Sequence, residues 1–118
     1  MNIELLIGLR LESCRLSKSS YTFEFDGNKN GKHYNFNVGT SCYLTFTNKK
    51  EDSCKYFSNY IWDMLETDLI NVIVNSEKNE IKFLFENNKY FKIWKDESLI
   101  DNLLSVYDIN SGLWFDFY

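Results

Sequence analysis

The sequence predicts an α+β protein that is mainly β: an antiparallel meander sheet of about seven to nine strands, curled or split, with one amphipathic helix (about 53–66) packed on a face. Three observations carry this expectation. Aromatic residues make up 18% of the 118 residues, and flat rings pack well on a pleated surface. Apolar and polar residues alternate through most of the chain, which is the period of a half-buried strand. One stretch departs from that period, because Cys54, Phe57, Ile61, Met64 and Leu65 recur at the spacing of a single helix face.

Near the start, Ile3, Leu5, Ile7, Leu9 and Leu11 alternate and predict a strand over 3–16, with Leu6 out of step and compatible with an initial helical turn. Tyr21, Phe23 and Phe25 form a second strand, the sequence DGNKNGK a longer loop, and Tyr34, Phe36 and Val38 the returning strand. A turn at 39–41 leads to a further strand over 43–47. The helix is predicted to start at a cap on Asp52 or Ser53, with Glu51 and Asp52 at the positive end of its dipole. Asp63, Glu66 and Asp68 crowd its negative end, where solvent or a basic group must answer them.

The most legible segment is 80–95, EIKFLFENNKYFKIWK, a hairpin with Asn87 and Asn88 as its two-residue turn. That turn places Glu86 opposite Lys89, Phe85 opposite Tyr90, Phe83 opposite Lys92, Ile81 opposite Trp94 and Glu80 opposite Lys95. One face then carries Ile81, Phe83, Phe85, Tyr90 and Trp94, the other Leu84, Phe91 and Ile93, so both faces want cover and the helix is expected to cover one. Strands over 105–107 and 113–117 follow around the turn DINSG. An ungapped alignment of 9–26 on 69–86 matches Leu9 with Leu69, Lys18 with Lys78, Phe23 with Phe83 and Phe25 with Phe85. The expectation is one compact domain, 1–118, made of two related β-meander halves (about 3–47 and 68–118) around the helix.

Several function classes are disfavoured. A net charge of −4 argues against nucleic-acid binding, since phosphate contacts need a surplus of Lys and Arg. No apolar run approaches a membrane span and the amino terminus lacks a signal-peptide pattern, which predicts a soluble, cytoplasmic protein. Cys14, Cys42 and Cys54 are odd in number and lack CxxC spacing, so they read as reduced, structural thiols. His33 is the single histidine, placed beside a hairpin loop, and it excludes His-pair metal sites. The five glycines fit no phosphate-cradling pattern. No catalytic residue, metal or cofactor is therefore expected.

One feature rises above this background. Residues 96–118 hold Asp96, Glu97, Asp101, Asp108 and Asp116, no Lys or Arg, and the aromatics Tyr107, Trp114, Phe115, Phe117 and Tyr118. Carboxylates steer association and aromatic rings anchor it, so Asp96, Glu97, Asp101, Asp108, Trp114, Asp116 and Tyr118 are the candidate contacts for a basic protein partner.

The segments FEFDGNKNGKHYNFNV, FLFENNKYFKIW and DNLLSVYDINSGLWFDFY, within one small acidic chain, resemble the cytoplasmic immunity proteins of contact-dependent growth inhibition and related bacterial polymorphic toxin systems. The resemblance implies a protein that binds one cognate toxin domain, often a basic nuclease, and blocks its active site or substrate groove. The alternative, from a different class, is a β-rich small-ligand-binding or accessory domain without catalytic activity. A pocket leading to His33 or Cys42 would favour it.

Overall fold

The computed structural model describes residues 1–46, 57–96 and 101–118. Along the chain lie β1 (Arg10–Leu16), β2 (Tyr21–Lys29), β3 (Lys32–Thr40), β4 (Tyr43–Thr45), α1 (Phe57–Met64), β5 (Leu69–Asn75), β6 (Glu80–Phe85), β7 (Tyr90–Trp94), β8 (Leu104–Asp108) and β9 (Leu113–Phe117). Strand content is 55%, every strand pair is antiparallel, and the strands form two open sheets. The first has five strands in the order β1-β2-β3-β8-β9, the second four in the order β4-β7-β6-β5.

Alternation decides what the sheets bury. Phe23 and Phe25 of β2 meet the rings of the four-stranded sheet: Phe23 stacks on Phe91 at 4.3 Å, and Phe25 lies 6.2 Å from Phe83 and 6.3 Å from Phe85. All five rings are fully buried, each contributing about 1.5 to 3 kcal/mol of burial. Phe57 of α1 reaches into this core against Tyr21, Phe23 and Phe46, at 5.5, 6.4 and 6.1 Å. The five-stranded sheet, rather than the helix, therefore covers the inner face of the β6-β7 hairpin. The expected caps Asp52 and Ser53, and the thiol of Cys54, fall outside the described residues.

Three local expectations are corrected. The first strand begins only at Arg10, and residues 3–6 form the initial helical turn with which Leu6 is compatible, a 3₁₀ turn capped by Asn2 whose Oδ1 accepts from the Glu4 amide at 2.9 Å. In the second hairpin the strands run on through the expected loop to a two-residue turn at Asn30 and Gly31, both with positive φ (53° and 77°). That Asn-Gly pair is the tight turn.

The third correction concerns the β6-β7 register. Asn88 alone takes positive φ (63°), the Asn88 amide donates to the Phe85 carbonyl at 3.0 Å, and the Phe85 amide donates to the Lys89 carbonyl at 2.9 Å. The loop thus has three residues, a type I turn followed by a left-handed one. Pairing shifts by one position, to Phe83 with Phe91, Ile81 with Ile93, Glu80 with Trp94 and Leu84 with Tyr90. A slip of one residue exchanges the faces of a strand, so Phe91 and Ile93 enter the core while Tyr90 and Trp94 turn outward. It also sets Lys82 opposite Lys92, with both ammonium groups over the Tyr90 ring at 4.3 and 5.7 Å.

The meanders β1-β2-β3 and β5-β6-β7 are built alike. Glu12 bulges between Leu11, which faces Phe25, and Ser13; Ile70 bulges between Leu69, which faces Phe85, and Asn71. Each meander passes its next strand to the other sheet, since β4 pairs with β7 and β8 with β3. The two meet at the Arg10–Asp68 bridge through reciprocal bonds. Leu69 N to Leu9 O at 2.8 Å answers Leu11 N to Thr67 O at 3.1 Å, and Gly8 N to Leu69 O at 2.7 Å answers Glu66 N to Leu11 O at 2.8 Å. Gly8 and Glu66, with φ of 90° and 65°, also correspond. This register places Leu11, not Leu9, on Leu69, while Phe23 and Phe25 keep Phe83 and Phe85 as their counterparts, as in the ungapped alignment. Arg10 lies near the acidic end of α1, its Nη2 4.0 Å from Glu66 Oε2.

Candidate functional site

The outer face of the five-stranded sheet is assembled from every second residue of its strands. Register sets Ser13, Glu24, Asn37, Tyr107 and Trp114 in one row, and Arg15, Thr22, Gly39, Ser105 and Asp116 in the next. Tyr107 and Trp114 stack at 4.6 Å, and Trp114 remains 67% exposed. A side chain at Gly39 would meet nothing within 4 Å, so the second row is an open step beside the stacked rings.

The carboxylates of this face are held in place. Glu24 accepts from Ser13 Oγ at 3.0 Å and from Asn35 Nδ2 at 3.3 Å. Asp26 accepts from the same Asn35 nitrogen at 2.7 Å and lies 3.0 Å from His33 Nε2. Asp116 accepts from Ser105 Oγ at 2.6 Å. These hydrogen bonds restrict the rotamers of the carboxylates, which prepares the surface for a cationic partner.

The sequence-predicted contacts are distributed unevenly. Trp114 and Asp116 share the outer face of β9. Asp108 stands at the far end of the hairpin, where its carboxylate accepts from Asn110 N at 3.0 Å and Ser111 Oγ at 2.8 Å and so holds the turn. Asp101 lies at the opposite end, near Tyr118, which is 50% exposed. The Lys95 ammonium donates to the backbone oxygens of both, at 2.7 Å and 3.0 Å. The stretch without cations therefore has one folded against it. Asp96 is exposed, and Glu97 lies outside the described residues.

Glu24, Asp26 and Tyr107 join the site although sequence reasoning did not single them out as contacts. Their signals were present: Glu24 and Asp26 alternate with the buried Phe23 and Phe25, and Tyr107 faces Trp114 across the DINSG turn.

Comparison with family models, curated proteins and solved structures finds no match.

Among the described residues no group of three or more His, Cys, Asp or Glu side chains could hold a metal, and no helix is long and apolar enough to cross a membrane. Open clefts of 200 to 370 Å³ occur, one between Glu12, Trp62, Leu65 and Glu66, another between Arg15, Leu16, Ser17, Ser20 and Thr22. Their walls contain neither His33 nor Cys42. His33 is near the start of β3 and Cys42 lies just past its end, on the order of 25 Å apart along the strand, and they form no dyad. Burial raises the Cys14 thiol to about 12 and pushes the Cys42 thiol upward as well, the opposite of what a nucleophilic cysteine needs.

Proposed function

We propose that this protein captures a basic protein partner on the outer face of its five-stranded sheet, and that it acts as an immunity protein neutralising a cognate bacterial toxin domain. The observation that carries the reading is the exposed Trp114, stacked on the half-buried Tyr107, on a face that also holds the restrained carboxylates Glu24, Asp26 and Asp116. Aromatic anchors ringed by charge are the composition of a protein-docking surface. The toxin as partner rests on the resemblance of the hairpins and the acidic, aromatic tail. The small-ligand alternative is less well supported, because the described clefts are open and none is lined by His33 or Cys42.

The test is co-expression with the toxin-like domain encoded beside its gene. The chain should restore growth, and Trp114→Ala should shorten the lifetime of the purified complex by about tenfold or more, the loss of an interface anchor. Absence of such a neighbouring domain, or failure of the folded chain to protect, would refute the proposal.

A further inference from the structure

The way β9 ends its sheet points to how a partner engages it. The Ile109 amide donates to the Asn35 carbonyl at 3.1 Å, so in β8 and just beyond it the peptide groups of odd-numbered residues face β3. Those of Leu104, Val106 and Asp108 face β9, where their partners are Phe117, Phe115 and Leu113. In an antiparallel strand both polar groups of a residue point the same way, alternating along the chain. The N–H and C=O of Trp114 and Asp116 therefore point away from the sheet, where no strand among the described residues pairs with them.

The other sheet edges carry protective devices. Near the start of β1, Leu11 is bonded to Thr67 and Glu66, and the strand then bulges at Glu12 between the charges of Arg10 and Arg15. β5 bulges at Ile70, and its outward Val72 amide is occupied by Asn71 Oδ1 at 2.9 Å. β4 is three residues long. Bulges, basic side chains and short length are the usual means of blunting an edge. β9 has five residues in unbroken register, no bulge, no Lys and no Pro.

We propose that β9 is an acceptor edge: an extended segment of the partner bearing Lys or Arg adds to the five-stranded sheet as a sixth strand, paired with the backbone of Trp114 and Asp116. This rests on the partner-capture reading above. Charge selects the occupant. The same two residues place an exposed ring and a restrained carboxylate on the outer face, so an incoming strand whose alternate, cationic side chains lie on that face sets one against Asp116 and another over the Trp114 ring. A second copy would bring the acids of two identical hairpins together, and repulsion disfavours that pairing.

The probe is an acetylated, amidated seven-residue peptide alternating Lys and Val, followed by amide hydrogen exchange on the full chain. In free protein the Trp114 and Asp116 amides should exchange fast, while those of Phe115 and Phe117 are protected by β8. Saturating peptide should slow exchange at Trp114 and Asp116 by about tenfold or more, and a Glu-Val peptide should not. Asp116→Pro removes an outward N–H at a site where an edge strand tolerates proline, and should abolish the effect, whereas Asp116→Asn should only weaken it. No protection at Trp114 and Asp116 with millimolar Lys-Val peptide, or protection rising with protein concentration alone, overturns the inference. The toxin-like domain separates the two proposals: if Asp116→Pro, shown to be folded, captures it as well as the parent chain does, the partner reading stands and strand addition fails.

Discussion

Cys14 sits on β1 opposite Phe23, and its position makes a chemical prediction. Burial holds its thiol near 12 from an ordinary value of 9.0. Between those values the unfolded chain has lost a proton that the native protein keeps, so the unfolded state binds fewer protons and stability falls as pH rises. The midpoint of urea unfolding should therefore decline from pH 9 toward pH 12, and the decline should be shallower in Cys14→Ala than in the parent chain. Equal slopes would show that Cys14 does not report a buried environment. The residue was legible as a passive thiol from spacing alone. Which sheet face it occupies was not, because that depends on the bulge at Glu12.

At the scale of elements, the β6-β7 hairpin decides most of the core. Phe83 is fully buried and stacks on Phe91 at 4.7 Å, so Phe83→Ala should cost about 3 to 5 kcal/mol in denaturant unfolding. A loss below about 1 kcal/mol would mean that Phe83 lies outside the main core. The turn offers a second check. Asn88→Val should cost about 1 to 2 kcal/mol, because a β-branched side chain resists positive φ, and Asn88→Gly should be close to neutral. Sequence reasoning found this hairpin but slipped its register, for a definite reason. Opposite charges at Glu86–Lys89 and Glu80–Lys95 favoured a two-residue turn, while burial of Phe91 and Ile93 demanded a three-residue one. Packing of two fully buried residues outweighs exposed ion pairs, which contribute about 0 to 1 kcal/mol each.

The field is uneven across the molecule: the outer face of one sheet carries Glu24, Asp26 and Asp116, with Arg10 and Arg15 confined to its β1 edge, and the outer face of the other carries Lys82 and Lys92. If the acidic face steers a basic partner, replacing Glu24 with Gln and Asp26 and Asp116 with Asn should slow association with the toxin-like domain by about tenfold at low salt. The dependence on ionic strength should flatten, with little change in dissociation. Unchanged association kinetics in that variant would move the docking surface elsewhere, the exposed Trp62 beside Asp63 being next in order. By itself the sequence determined the elements: alternation is a local property, and it marked β2, β3, β6, β7 and β9, the helix around Phe57 and Ile61, and the acids that end the chain. Tertiary structure alone decided the partners. That β4 and β8 change sheets, that Glu24 and Asp26 join Trp114 on one surface, and that β9 is left as an open edge all depend on pairings between distant residues. No local period encodes them, because a strand satisfies its alternation equally well beside any neighbour of the right polarity.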